Sequence, residues 1–367
     1  MKLAFYIFMF YALCGFIYYP SQYSFFSLIL VFFSTLPFLI VGNLTSDKVH
    51  TGYNKIKPII YWSIIILGFV NLGIIANNIG SGFGDIFSLD GIKNIAIQST
   101  IRRYEEDTLA NSGNPILLAL TLWLIYRIGS LDKKTKWTYK LMSFLPLIMY
   151  TMLTTEKWPS FLGVIFYITG IIASNDNKTS LRILRSKIKY GVIILILMIL
   201  SLSFRGYEGG TVESMEMVLH YLFAQYNALG FWYMNSVNLN LMLGEMTFIG
   251  PLSFIGVSHR DAGIFAKSLV LYNKESNIYT AFRYIIQDFS IMGPLILNSL
   301  LAMFYIGSNY AGKFNISRVI KIFIIFCALL STNTTPFVHN SVMFGLVLCL
   351  ISDYNSSINS KIKIRNE

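Results

Sequence analysis

The sequence predicts an all-α polytopic membrane protein of about ten transmembrane helices (about 10–12), and three observations carry that prediction. Of its 367 residues 54% are hydrophobic and only 13% charged, about half the charged fraction with which a soluble domain covers its surface. The apolar runs are continuous over lengths of about 17–25 residues, enough to cross a hydrocarbon core of about 30 Å. A β-barrel would instead alternate in segments of about ten. Finally, the charges segregate between alternate loops, as topology requires.

In chain order the spans read as 3–18, 23–43, 58–77, 114–130, 138–155, 159–174, 190–204, 288–308, 319–333 and 336–352. The first begins with one lysine and an apolar run, like a signal peptide. No small-residue cleavage site follows Tyr18-Tyr-Pro-Ser21, so it reads as an uncleaved helix. This arrangement implies a bundle of about seven spans over 1–204, a long outside segment over 205–287, three further spans over 288–352 and a tail over 353–367.

An even number of spans puts both termini on one side. The loops of that side hold Lys48, Lys55, Lys57, Lys133, Lys140, Arg182 and Lys363 among 20 of the 29 basic residues. Thirteen of the 18 acids lie on the other side, leaving about +15 on one face and about −4 on the other. Basic excess marks the cytoplasmic face, so both termini are expected inside and the long segment outside. The net charge of +11 is therefore a topological signal, and nucleic acid is not an expected partner. Cys14, Cys327 and Cys349 all fall within spans, with neither disulfide nor zinc spacing, and read as small packing residues.

The first long outside loop, Asn77 to Pro115, opens on glycine turns at Gly80-Ser-Gly-Phe-Gly84. Its middle, Ile92 to Tyr104, reads as an interfacial amphipathic helix, and Arg102, Arg103, Glu105, Glu106 and Asp107 as a solvated face. In the dominant segment, Gly206 to Gly210 forms a turn, Ser214 to Met234 a helix, and Gly244 to Ala266 a loop turning at Gly250-Pro251. Ser276 to Asp288 then runs straight into the eighth span. Non-helical backbone near a bilayer must be buried in protein or line a wet cavity, so this segment is expected to fold back over the bundle.

Arginine is the informative residue type there, since it is permanently charged and grips phosphate with a planar fork. Arg205 and Arg283 lie close to the ends of spans seven and eight, and Arg260 lies in Ser258-His-Arg-Asp-Ala-Gly263. The plainer alternative has them reaching to headgroups or pairing with Asp261, Asp288 or Glu208. His259 beside Asp261 has the makings of a general base. Glu213, Glu216 and His220 recur along one helical face as a polar stripe toward a cavity; no third ligand completes a metal site, and no metal or other cofactor is expected. Glu156 and Lys157 occupy a tight outside turn between spans five and six, either as a plain hairpin or at a cavity mouth. His339-Asn340 lies a turn inside span ten, where an ionisable group is functional or forms an interhelical hydrogen bond.

Two stretches carry a resemblance. Asn277-Ile-Tyr-Thr-Ala-Phe-Arg283, followed by Asp288-Phe-Ser-Ile-Met-Gly293, resembles the segment after the large periplasmic loop of Wzy-type oligosaccharide repeat-unit (O-antigen) polymerases. Glu156-Lys-Trp-Pro-Ser160 partly matches that family's middle region, and the layout of spans and one late dominant loop is similar. The resemblance implies a membrane glycosyltransferase of GT-C-like architecture, without a nucleotide-sugar domain or cofactor. Its donor and acceptor would be undecaprenyl-diphosphate-linked oligosaccharides, joined at the periplasmic face in lipopolysaccharide or other surface-polysaccharide synthesis. A chain-length regulator is an optional partner. In that reading Arg205 and Arg283, helped by Arg260, hold diphosphate. Glu156, His259 or Asp288 is the base, in no settled order, while Tyr279, Trp232 and Tyr233 offer stacking faces to sugar. Lys157, His220 and His339 are further candidates. An O-antigen ligase and a lipid-linked oligosaccharide flippase are the competing classes; the long outside segment disfavours the flippase.

Overall fold

The computed structural model describes residues 1–45, 56–105, 113–154, 156, 158–176, 179–186, 216, 219–220, 223–236, 241–258, 269–271, 274–276, 280–332 and 334–366. The described helices are α1 (Lys2–Tyr18), α2 (Gln22–Leu44), α3 (Pro58–Asn78), α4 (Leu89–Glu105), α5 (Pro115–Ser130), α6 (Trp137–Thr154), α7 (Trp158–Ser174), α8 (Gln225–Ser236), α9 (Ile249–Phe254), α10 (Ala281–Phe289), α11 (Gly293–Tyr310), α12 (Phe314–Leu330) and α13 (Asn340–Asn366). Among the described residues, β1 (Leu269–Leu271) and β2 (Lys274–Ser276) form an antiparallel hairpin, with Val270 opposite Glu275.

The helix starts follow local chemistry. Ser21 and Ser24 form a capping box at α2, satisfying amides that have no partner inside the helix. Pro58 and Pro115 open α3 and α5, where a missing N–H costs nothing. Asn114 caps α5 by accepting from Ile116 N at 2.9 Å and Leu117 N at 3.3 Å.

Among the described residues two helices, α2 and α3, are long and apolar enough to cross a bilayer. The pair α10 and α11 makes a third candidate, bent by 101° at the break between them, and α1, α5 and α7 are shorter apolar helices. On α2 the buried face is Ser24, Ser27, Val31, Ser34, Thr35, Phe38 and Val41, while Phe25, Phe33 and Ile40 are exposed. A buried face rich in Ser and Thr with large apolar groups outward is the arrangement of a helix facing lipid. Ser34 and Thr35 stay satisfied there by donating to Leu30 O and Val31 O of the preceding turn.

The chain packs as two compact units that do not follow chain order. One contains Met1–Lys48 with Met217–Met343, the other Val49–Glu216 with Phe344–Glu367. In the first, α2 is the hub against which α1, α8 and α11 pack. Gly230 of α8 permits that approach, because a Cβ there would lie 2.0 Å from Tyr23 O.

In the second unit α5 and α7 cross at two glycines. A Cβ on Gly129 would lie 2.3 Å from Tyr167 O, and one on Gly170 2.2 Å from Tyr126 O. Asp132, in the turn after α5, is buried and accepts from Lys140 Nζ and the Tyr167 hydroxyl. Lys140, expected in a basic cytoplasmic loop, is thus withdrawn into a buried ion pair. The Tyr126 hydroxyl donates to the equally buried Asp353 at 3.1 Å.

Three sequence expectations change. Ser276 to Asp288 does not run straight into the next span: α10 ends at Phe289, and the chain turns through Ser290 before α11. Ser290 has φ 62° and ψ −178°, a region in which a side chain is strained. Gly250-Pro251 belongs to the short helix α9 and is not a simple turn. The interval between α12 and α13 spans residues 331–339, far longer than the two-residue junction the hydropathy suggests, so His339 lies just before α13. The seventh expected span, 190–204, lies outside the described residues.

Candidate functional site

The candidate site lies in the first unit and is organised by α10. Its N-cap is Thr280, and the Ala281 amide donates to Ser331 O at 2.8 Å, anchoring the helix start on the chain that follows α12. At the other end Asp288 is fully buried. Its Oδ1 accepts from Met246 N at 3.0 Å and its Oδ2 from Thr247 N at 2.6 Å. The backbone repeats the grip, with Met242 N donating to Gln287 O and Leu243 N to Asp288 O, both at 3.3 Å. A turn with Leu243 at φ 48° and Gly244 at φ 103° is held in this way.

The same turn is tied on its far side to residues 331–339. Thr335 Oγ1 donates to Thr247 O at 3.0 Å, and Gly250 N donates to Phe337 O at 2.9 Å. Only glycine fits at 250, since a Cβ would lie 2.4 Å from Phe337 O. Met246, Ile249, Tyr284 and Val338 close a small apolar core beneath these bonds. The inward side of this turn, with Gly244, Met246 and Thr247, is buried, while Leu241, Met242 and Leu243 are exposed.

Arg283 sits one turn into α10. Its guanidinium lies over the Trp232 ring, 4.8 Å from the centroid, and Trp232 itself is buried on α8. Stacking engages the flat face of the guanidinium, whereas its N–H donors lie in the plane of the fork. The arrangement therefore orients the fork while holding the cation in a low-dielectric setting, where its field is stronger.

Of the other expected residues, Tyr233 already stacks on Phe26, with centroids 5.1 Å apart and planes at 13°. That leaves at most one face for a ligand. His220 is buried, its Nδ1 is 2.7 Å from the Tyr19 hydroxyl and its ring meets Tyr19 edge-on. With the Ser21 Oγ donating to Asn227 Oδ1 at 3.1 Å, it docks the α1–α2 turn onto α8. His339 is half-buried, and its carbonyl accepts from Val342 N and Met343 N at the start of α13.

Glu156 belongs to the second unit, in the turn between α6 and α7, and its amide donates to Thr154 Oγ1 at 3.3 Å. The Thr151 and Ser160 hydroxyls, 2.7 Å apart, close that hairpin. Arg205, Arg260, His259, Tyr279 and Lys157 lie outside the described residues.

The sequence reading missed the stretch Ser331 to Thr335. Ser331, Thr332, Thr334 and Thr335 are all buried; the Ser331 carbonyl accepts from Ala281 N of α10, and the Thr335 hydroxyl donates to Thr247 O of the 242–250 turn. The signal was present as Ser-Thr-Asn-Thr-Thr-Pro between two apolar runs. Nearby, burial pushes the Tyr226 hydroxyl above the ordinary phenol range, with Ser331 opposing the shift in part. It is a neutral group at any physiological pH.

Compared with protein-family models, with curated proteins and with solved structures, the chain matches none.

Proposed function

We propose that the chain is a membrane glycosyltransferase that polymerises lipid-linked oligosaccharide repeat units, as an O-antigen polymerase does. The observation that carries this reading is the buried Trp232 under Arg283, within the Tyr-Thr-Ala-Phe-Arg and Asp-Phe-Ser-Ile-Met-Gly segments on which the family resemblance rests. In this proposal about ten spans of GT-C-like arrangement cross a bacterial inner membrane, with both termini cytoplasmic. The site faces the periplasm.

The chemistry follows from what a fixed guanidinium does. The bond between the anomeric carbon and the diphosphate oxygen breaks as an acceptor hydroxyl oxygen bonds to that carbon. The hydroxyl proton passes to a base, and undecaprenyl diphosphate leaves with the bonding pair. Arg283 stabilises the charge that develops on the leaving group, an electrostatic role best played by a pre-oriented donor. Arg205 and Arg260 are proposed as further diphosphate ligands on sequence grounds, as are Glu156 and His259 for the base, with Lys157 and Tyr279 as accessory groups. Asp288 is assigned a positioning role, because both its oxygens already hold backbone amides.

The test is a lipopolysaccharide gel from a strain lacking the gene, complemented with wild type, Arg283→Ala or Arg283→Lys. The expected result is a ladder collapsed to core plus one unit, restored by wild type and not by Arg283→Ala. Loss of all glycan from the core would favour a ligase or a flippase, and an unchanged ladder would remove the polymerase reading.

A further inference from the structure

The second unit contains a feature that the glycosyltransferase reading leaves unused. Residues 83–87 form a short 3-10 helix between α3 and α4, in a loop the hydropathy places outside the membrane. Phe83 packs on Gly73 of α3, where a Cβ would lie 2.5 Å from its Cδ2. The Phe87 ring stacks on Phe69 of α3, with centroids 6.2 Å apart and planes at 27°, and meets Phe83 edge-on. Gly73 and Phe69 precede the end of α3 at Asn78 by five and nine residues, about 8 and about 14 Å along the axis at about 1.5 Å per residue. The turn therefore doubles back along the side of a helix long and apolar enough to span a bilayer.

The outward side of this turn is apolar. Phe83 is 53% exposed, Phe87 62% and Leu89 74%, continuous with the exposed Ile66 and Val70 of α3. Its backbone meanwhile supplies its own partners. Asp85 N donates to Gly82 O, Ser88 N to Asp85 O, Gly82 N to Asp85 Oδ2 at 2.8 Å, and Gly91 N to Ser88 Oγ at 3.0 Å. The opposite face of α4, with Ile95, Ala96 and Ser99, is buried, Ile95 joining Leu72, Ile75, Ala76 and Leu153 in one apolar core. The exposed side is thus held rigidly outward.

We propose that residues 82–89 are a lipid anchor, a re-entrant turn whose Phe83, Phe87 and Leu89 insert among the acyl chains of one leaflet beside α3. The partner is the hydrocarbon layer that covers α3, and the anchorage is apolar in origin. It does not depend on the enzymatic reading.

The test places tryptophan at Phe87, Leu89 or Asn94 in the full-length chain, reconstituted in nanodiscs with or without brominated acyl chains. Emission added by Phe87→Trp and Leu89→Trp over wild type should be quenched by the bromines, untouched by iodide and unchanged by high salt. Asn94→Trp, at an exposed position on the polar side of α4, should respond to iodide. Quenching of positions 87 and 89 by iodide alone would place the turn in water and overturn the proposal. Quenching by neither would show another protein surface covering it, with the same consequence. Equal bromine quenching at position 94 would mean that all of α4 is submerged, so that 82–89 is not the anchor.

Discussion

Replacing Asp288 separates a structural clamp from a general base. The carboxylate is wholly buried and each oxygen accepts one backbone N–H, from Met246 at 3.0 Å and Thr247 at 2.6 Å. Asp288→Ala leaves both amides without an acceptor, at about 1–3 kcal/mol for each buried orphan, or about 2–6 kcal/mol together. Removing a buried charge offsets some of that cost. Asp288→Asn keeps the shape and one acceptor but points an NH2 group at the second amide, so about 1–3 kcal/mol is expected. Thermal unfolding of the detergent-solubilised protein measures both, and limited proteolysis at 242–248 reports whether the turn has been released. Ladder formation by the two variants should fall in step with their stability. An Asp288→Asn protein that melts like wild type yet forms no ladder would refute the clamp and restore Asp288 as the base.

Further substitutions probe the scaffold. Ser290→Gly should raise the unfolding midpoint, because Ser290 holds a conformation natural to glycine and strained by about 1–3 kcal/mol for other residues; a lowered midpoint would contradict that strain. Gly170→Ala should destabilise by at least about 1–3 kcal/mol, since its methyl would press on the Tyr126 carbonyl and not on a yielding side chain. Gly307→Ala, exposed on α11 with nothing within 4 Å, is its control and should stabilise by about 0.5–1 kcal/mol. Lys140→Ala should cost about 3–5 kcal/mol by stranding Asp132, whereas Lys140→Met with Asp132→Leu should cost far less; equal melts for the single and double variants would show that the pair is not effectively buried.

What was legible in the sequence was what local chemistry decides. The expected span 58–77 and the observed helix Pro58–Asn78 agree because proline is favoured at a helix start and the apolar run ends at Asn77-Asn78. Likewise 114–130 and 159–174 correspond to Pro115–Ser130 and Trp158–Ser174. The break at Ser290 was hidden because Ile291 and Met292 carry the apolar run across it. Hydropathy does not register a residue at φ 62°, two positions after the carboxylate that grips the 242–250 turn. The 331–339 interval was misjudged for the converse reason. Two apolar runs lie so close in sequence that a tight junction seems enough, while the Ser331 carbonyl and the Thr335 hydroxyl are engaged by α10 and the 242–250 turn.

Partners distant in sequence account for the remaining gap. His220 on a polar helical face suggested a cavity, but Tyr19, 201 positions away, takes its ring nitrogen. Arg283 was singled out by its charge near a span, yet what orients it is Trp232 on another helix. A stacked guanidinium argues more for the proposed chemistry than position alone. A cation that merely reached to headgroups would need no aromatic partner nine-tenths buried beneath it. Arg283→Lys tests that difference. Lysine keeps the charge but loses both the planar fork and the stacked face. If charge near the membrane were the whole role, Arg283→Lys would restore the ladder. If an oriented fork on diphosphate is required, it should fail nearly as completely as Arg283→Ala while the protein melts within a few degrees of wild type.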